Sequence, residues 1–498
     1  MSGSVGYLAV DLGAESGRVV LGWFDGGRVT LEETHRFPNV PVRLPDGLHW
    51  DVLRIFGDVK EGLAKAAGQC RIEGVGVDSW GVDFGLLDRD GALVSNPCHY
   101  RDPRTEGMME RAEKKVSKEE IYRTTGIQFM PINTLYQLLA MRESPLLEAA
   151  QTLLLIPDLL NFWLTGEKSC ERTNATTTQL LDLETGEWSH DLLKRMDLPA
   201  QVFQPVIPPA TELGPLLPEV AEEVGASLPV LTVASHDTAS AVVAVPADGE
   251  DFAYISSGTW SLVGMELPGP VVSDGALEAN FTNEGGFGGT TRFLKNVMGL
   301  WLLQECRGTW AGEGRDYSYE ELTRLAEGAP ATGPLVDPDH PAFLAPGAMP
   351  SRIRRFCECT GQRPPEGPAE VARCVFESLA LKYRYVIEQA ENLTGREVRK
   401  VHVVGGGSQN ALLCQLTADA AGLPVVAGPI EATAAGNVMA QAFARGRVGS
   451  LGEIRTVVRR SFETTTYEPG DAKDRAGSRE KFSRIVDTAR TLDILEGE

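Results

Sequence analysis

The strongest constraint on this chain is a turn of unusual composition that occurs twice, half the chain apart. VDLGAESGRVVL spans residues 10–21 and FAYISSGTWSLVGM spans residues 252–265. Each reads as an apolar strand, a tight turn of small and hydroxyl residues, and a second apolar strand. A single glycine is enough to turn a hairpin. These segments instead carry Gly13, Ser16 and Gly17 in the first, and Ser256, Ser257, Gly258 and Thr259 in the second. Turns of this kind expose backbone N–H groups and hydroxyls without side-chain bulk, a surface suited to phosphate oxygens. Two of them in equivalent places predict a duplicated fold that clamps the phosphates of a nucleotide between its halves.

The length, 498 residues, gives room for two domains or more, each with its own core. In the first half, strands are expected at Leu8–Asp11, Val19–Phe24 and Val29–His35, a helix at 52–67, a buried strand at Val75–Asp78 and another at Phe84–Leu87. From Ser117 to Leu164 the pattern reads as mostly helical, with breaks at Gly126 and Pro131. Val230–Ala234 closes this half as an apolar strand. The second half restarts at 252–265 and continues with an amphipathic helix near 369–393, the strand Lys400–Val404, and the glycine run Gly405–Gly407. A helix near 410–421, a short strand at Pro424–Val426 and a small-residue helix at 432–445 follow. Alternating strands and helices after an opening hairpin predict an α/β layered domain in each half. Apolar patterning lapses at PADGE, residues 246–250. The expected division is therefore 1–246, 247–470 and a peripheral charged end, 471–498.

A formal net charge of −22 argues against nucleic acid and anionic membranes as partners, since both require a basic face. It also means that a polyanionic nucleotide needs metal charge, backbone dipoles or a local arginine to approach. The most apolar stretch, 153–164, is too short to span a bilayer and is broken by Pro157, Asp158 and Asn161. No basic segment leads into an apolar run at the N-terminus, so the expected location is the cytoplasm. Eight cysteines are too sparse for a disulfide scaffold, and Cys357, Cys359 and Cys374, the one clustered set, are expected as reduced thiols.

There is no G-x-x-x-x-G-K-[S/T], and the run Gly405–Gly407 has Asn410 where a dinucleotide fingerprint needs its third glycine. That run either approaches a ligand or simply turns the chain. Asp11 ends the first strand with its carboxylate at the turn. It is read as a Mg²⁺ ligand, which takes one or two carboxylates plus phosphate oxygens, with turn capping as the plain alternative. Arg18 is the cationic group nearest the phosphates, and Glu15 is expected to point outward, against Arg18. Ser235-His236-Asp237-Thr238 stands at a strand-to-helix junction before small residues. Phosphoryl transfer to an alcohol needs a carboxylate to take the hydroxyl proton, and Asp237 is read as that base, with N-capping as the alternative. A polyol is expected against the turn Asp78–Phe84, with its carboxylates, Trp80 and Gly81, a hairpin with an exposed Asp and a packed Trp being the plain alternative. The stretch 294–301 is the other candidate, with an amphipathic helix start as the plain alternative; there Asn296 and Gln304 are the residues that packing does not explain.

Taken together, VDLGAESGR, DSWGVDF, YRDPRT, TNATTTQL, ASHDTASAV, SSGTWSL, TNEGG, LKNVMGLWLLQ and VVGGGSQN resemble the FGGY carbohydrate kinases of the actin-like ATPase superfamily over nearly the whole chain. The resemblance implies two RNase-H-like α/β domains flanking a cleft that closes on ATP and a sugar. Carried over by position, it implies that Ala14, Glu15, Ser16, Gly17 and Arg18 bind ATP phosphates, with Thr259, Gln304 and Gly406 also on the nucleotide. Gly81, His236, Asp237, Thr238 and Asn296 are implied on the sugar, with Asp237 as base. Cys357 and Cys374 are implied as a pair that a disulfide is able to join. The motifs that separate branches of the family imply transfer to the 1-hydroxyl of L-rhamnulose in L-rhamnose catabolism. Another ketose such as L-fuculose is the neighbouring alternative, and an actin-like ATPase acting on proteins is the alternative of a different class. No obligate protein partner is expected.

Overall fold

A computed structural model describes residues 4–331, 333–470 and 475–489. The chain forms two compact units that are not simply its two halves. The first comprises residues 1–248, 266–293 and 431–462; the second comprises 249–265, 294–430 and 463–498.

The first unit is built on a sheet whose order is Glu212–Pro215, Pro229–Leu231, Ile72–Ser79, Val5–Leu12, Ser16–Phe24, Val29–Pro38. The opening hairpin pairs antiparallel, with Asp11 opposite Arg18, and Val5–Leu12 then runs parallel to Ile72–Ser79, with Asp11 opposite Asp78. Tyr7, Leu8, Ala9 and Val10 are wholly buried, so this strand is core on both faces. The helix Val52–Ala67 starts at Asp51, whose side chain accepts from the Arg54 N–H, and turns Val52, Ile55, Val59, Leu63 and Ala66 inward.

The small-residue helix forms as expected, at Ala432–Ala444, but belongs to the first unit and not to the half of the sequence that contains it. The reason is a groove of glycines. A side chain at Gly22 would meet Val438, and at Gly74 or Gly76 would meet Gln441 or Asn437. Into that space Asn437 Nδ2 donates to the Gly76 carbonyl, and Gln441 Nε2 to the Leu8 carbonyl at 3.0 Å. At Gly436 a Cβ would overlap the Ser240 carbonyl, so this helix lies in direct backbone contact with the helix Asp237–Val243.

The second unit repeats the strand plan. Phe252–Ser257 pairs antiparallel with Trp260–Leu267 and parallel with Lys400–Val404, which pairs parallel with Val425–Ala427 and that strand antiparallel with Thr465–Tyr467. The helix Gly367–Thr394 buries Val371, Val375, Leu379, Tyr383, Val386 and Ala390. Within the stretch expected as a peripheral charged end, the helix Arg475–Ala489 buries Phe482, Val486 and Ala489, and Phe482 meets Tyr385 ring to ring. That helix is therefore packed against the unit; residues 471–474 and 490–498 lie outside the described residues.

Two local expectations are corrected. The helical reading of 117–164 misses the strand Thr152–Leu155, which pairs with Phe84–Leu87. All four of its residues are buried, so no alternation marks it as a strand. The stretch 294–301, open to a helix start, is instead the end of the strand Thr291–Met298, and the helix begins at Trp301. All eight cysteines are free thiols, Cys357 and Cys374 among them. No helix among the described residues is long and apolar enough to cross a membrane.

Candidate active site

In the first unit the hairpin turn is closed by the Gly13 N–H donating to the Ser16 carbonyl at 2.9 Å, and is tied down by Asn39, whose Nδ2 donates to the Gly13 carbonyl. Gly17 is required for a reason unrelated to phosphate: a Cβ there would strike the Phe37 ring. Glu15 is exposed, as expected, but the guanidinium of Arg18 turns elsewhere. Its Nε and Nη2 donate to Asp11 Oδ2 at 3.0 and 2.7 Å, and its Nη1 pairs with Glu431.

Strand register places Asp78 beside Asp11. The Asp78 side chain is wholly buried; Asn437 Nδ2 donates to its Oδ2 at 2.6 Å, while Oδ1 has no hydrogen-bond partner among the described residues. Burial, then repulsion from Asp11 and from Asp237, holds this carboxyl well above its ordinary range. Three carboxylates thus act on one another, and Asp78, quoted in the sequence only as part of a turn, is a member of the set.

Asp237 is the first residue of the helix Asp237–Val243, with His236 as its N-cap, so the N-cap alternative for Asp237 does not hold. The chain reaches this point as an extended segment beside Ile72–Ser79, where the Ser79 N–H donates to the Ser235 carbonyl at 2.9 Å. Glu171, fully buried, accepts from the Ser235 N–H at 3.0 Å and its hydroxyl at 2.6 Å. Nothing local in the sequence marks Glu171 for this task. The Asp237 side chain keeps 30% of its surface exposed and Oδ1 accepts from Thr238, both N–H and hydroxyl. Burial first, then Asp11, raises its pKa, against the opposing effects of His236 and Thr238. It is a carboxylate at a helix start with an open side and a raised pKa, which is what a proton acceptor needs.

Gly81 packs on Thr177, 2.9 Å from where its Cβ would stand, and Thr177 Oγ1 accepts from the Val82 N–H. Val82 has φ 67°, an uncommon conformation for a β-branched residue. It is held there by Thr134 Oγ1 and Gln137 Nε2, both donating to its carbonyl. Asp83 is not an exposed hairpin residue: it is buried beneath Trp50 and Trp80, whose rings lie 4.3 Å apart, and accepts from both indoles.

In the second unit Thr259, Gln304 and Gly406 come together around the second hairpin. The Leu300 and Trp301 N–H groups donate to the Gly258 and Thr259 carbonyls at 3.0 and 3.1 Å, which seats the helix Trp301–Gly312 on the turn. Gln304 Nε2 then donates to Thr259 Oγ1 at 3.2 Å, while its Oε1 is buried without a partner among the described residues. Gly405, at φ 82°, and Gly407 press on Ser257, whereas a Cβ at Gly406 would meet nothing within 4 Å. Gly406 is thus the member of the run whose backbone faces open space. Asn296 lies on the strand Thr291–Met298. Close to it, Asp339 accepts from the Met298 N–H at 2.9 Å and is paired, with Asp337, to the buried Lys382. The first unit therefore holds Asp11, Ala14 to Arg18, Gly81 and His236 to Thr238, and the second holds Thr259, Asn296, Gln304 and Gly406.

Among the described residues, the ligand-type cluster that comes together is His35, Asp58 and Glu61, but Lys65 Nζ sits 2.6 Å from Glu61 and 2.9 Å from His35 Nδ1, which leaves no place for a cation. Asp11 with the unpartnered Asp78 Oδ1 suits a hard ion that keeps waters and phosphate oxygens in its shell.

Two α/β units, each opened by the same hairpin and continued by parallel strands in the same order, define a fold of the actin-like ATPase type. Residues 6–244 match the N-terminal domain and residues 253–445 the C-terminal domain of the FGGY family of carbohydrate kinases, and the chain belongs to that family. The chain is 44% identical to a protein named rhamnulokinase from Bacteroides thetaiotaomicron, over 93% of this chain and 96% of that one. A rhamnulokinase from Oceanobacillus iheyensis is also 44% identical, over 92% and 97%. The fold matches the crystal structure of a ligand-bound xylulose kinase from Lactobacillus acidophilus with a TM-score of 0.81, 18% identity and 98% coverage of each chain. It also matches a Plasmodium falciparum glycerol kinase with ADP, with a TM-score of 0.78, 17% identity and 99% coverage of each.

Proposed function

We propose that this chain transfers the γ-phosphoryl group of ATP to the 1-hydroxyl of L-rhamnulose, giving L-rhamnulose 1-phosphate and ADP in the cytoplasm. Asp237 carries the chemistry in this reading: a helix-start carboxylate with one open side and a pKa raised by burial and by Asp11. It takes the hydroxyl proton as that oxygen attacks phosphorus and ADP departs. The choice of sugar rests on the rhamnulokinases to which the chain is 44% identical over nine-tenths of its length.

Residues Ala14 to Arg18 take the phosphates in this scheme, and Thr259, Gln304 and Gly406 the rest of the nucleotide, with the open Gly406 backbone and the unpartnered Gln304 Oε1 as its contacts. Gly81, His236, Thr238 and Asn296 hold the sugar. Asp11, with Asp78 behind it, is the place for Mg²⁺, which when bound neutralises charge on the transferring group. Along the chain, 1–246 then supplies the sugar side apart from Asn296, the first hairpin and the base, and 247–470 supplies the second hairpin and the adenosine side.

The test is ADP release with MgATP and a panel of L-rhamnulose, L-fuculose, D- and L-xylulose, L-ribulose and glycerol at matched sub-saturating concentration. L-Rhamnulose should lead, because a site built to bond a hydroxyl loses about 1–3 kcal/mol when that partner is missing. Preference for another sugar overturns the substrate and keeps the kinase; a response to none of them overturns both.

A further inference from the structure

The carboxylate read as the base is backed by a buried array that the sugar and nucleotide assignments do not use. His236 sets its Nε2 3.4 Å from Asp237 Oδ1. On the far side of the ring, Nδ1 lies 3.1 Å from Arg292 Nη2. Arg292 is wholly excluded from solvent, its Nη2 stands 3.0 Å from Glu284 Oε2, and its Nε donates to the Gly285 carbonyl at 2.9 Å. Glu284 Oε2 is in turn 3.3 Å from His236 Nδ1. All four side chains belong to the first unit.

A guanidinium only donates, and it stays charged at every accessible pH. Its Nη2 is within hydrogen-bond distance of His236 Nδ1, which must accept from it, and is ion-paired with Glu284 Oε2. A ring nitrogen that accepts from arginine carries no proton of its own, so the neutral imidazole bears its proton on Nε2, the nitrogen facing Asp237. With Thr238, that gives Oδ1 three donors. Oδ2 is then the oxygen that receives a proton from substrate. Were the proton on Nδ1 instead, a lone pair on Nε2 would face Oδ1 and turn the carboxylate away. Glu284 offsets the charge of Arg292, which would otherwise stand buried and uncompensated.

We propose that Arg292, held by Glu284, is a positioning residue that fixes His236 in its Nε2–H tautomer and thereby orients Asp237. The proposal rests on the reading of Asp237 as base, but its first readout does not. Nitrogen-15 NMR of the histidine rings, with His236 assigned by the signal lost in His236→Asn, reports the tautomer directly. The wild-type enzyme at neutral pH should show Nε2–H; an Nδ1–H or doubly protonated ring overturns the proposal. Because the tautomer is read in the wild-type protein, with His236→Asn needed only for assignment, it decides the matter even if neither Arg292 variant folds.

The second readout uses Arg292→Met and the double variant Glu284→Leu/Arg292→Met, which leaves no buried charge unpaired. In a double variant that still unfolds cooperatively, the Nε2–H signal should give way to a mixture. The kcat should fall about tenfold or more, the scale of lost base positioning, while KM for ATP and for sugar moves less than about threefold. A folded double variant with wild-type kcat or an unchanged tautomer overturns the role. If Asp237→Asn keeps its turnover, the base reading fails on its own and the tautomer result stands apart from it.

Discussion

Replacing Asp83 by asparagine tests the electrostatics of the turn at 78–84 in a way that separates charge from shape. The carboxyl is 1% exposed and accepts from Trp50 Nε1 at 2.6 Å, Trp80 Nε1 at 3.0 Å, the Tyr100 N–H at 3.2 Å and Gln137 Nε2 at 2.9 Å. These donors favour the ionised form, but burial outweighs them and pushes the pKa from 3.8 up to about 6. The folded state therefore binds more protons than the unfolded state between those two values, and stability falls as pH rises through that window. The whole penalty is about 3 kcal/mol, of which about 1.4 kcal/mol develops between pH 5 and pH 8. In Asp83→Asn the amide NH₂ faces Gln137 Nε2. Gln137 is not free to flip, since its Oε1 accepts from Arg104 Nη2 at 2.6 Å. That donor–donor clash costs about 1–3 kcal/mol at every pH, whereas the ionisation penalty disappears. The stability gap between wild type and variant should accordingly shrink by about 1.4 kcal/mol from pH 5 to pH 8. Urea unfolding followed by tryptophan fluorescence at several pH values measures it. A gap that stays constant, or widens with pH, would refute the reasoning.

Asp237→Asn should keep ATP binding and thermal stability while lowering turnover by about 10² or more, measured by coupled ADP release. In the wild-type enzyme the raised Asp237 pKa puts the acid limb of the kcat/KM profile above the usual carboxylate range, with the rate falling as pH drops through it. Asp11→Ala should raise the Mg²⁺ concentration needed for half-maximal rate and depress the maximum, and activity in excess chelator would contradict the assignment. Gly436→Ala gains about 1 kcal/mol of helix propensity. It should nonetheless destabilise the protein and lower kcat, because the new Cβ overlaps the Ser240 carbonyl on the helix that begins with Asp237; a raised melting temperature would show that the two helices separate freely.

The sequence alone carries what depends on near neighbours. The helices at 52–67 and 367–394 repeat their apolar residues at helical spacing, and both hairpins announce themselves by turn chemistry. Where the local signal vanishes, so does the reading: Thr152–Leu155 is buried on both faces and looks like the helices around it. The motifs likewise name Asp11, Asp237 and Thr259, because strand ends and turns are where such side chains find use.

Partnership across long separations is different, since it depends on which surfaces fit once the elements exist. The helix Ala432–Ala444 is legible as a helix, yet only the groove left by Gly22, Gly74 and Gly76 assigns it to the first unit. Strand register, not spacing along the chain, puts Asp78 beside Asp11, whose charge adds to burial in raising its pKa. Arg292 lies 55 positions from Asp237, and its meeting with His236 follows from folding a charged side chain into a site where Glu284, the Gly285 carbonyl and an imidazole nitrogen receive its protons. Local backbone preference and hydrophobic period determined the elements and the candidate residues. Close packing and the cost of burying charge, which act only in the assembled structure, decided which of them meet.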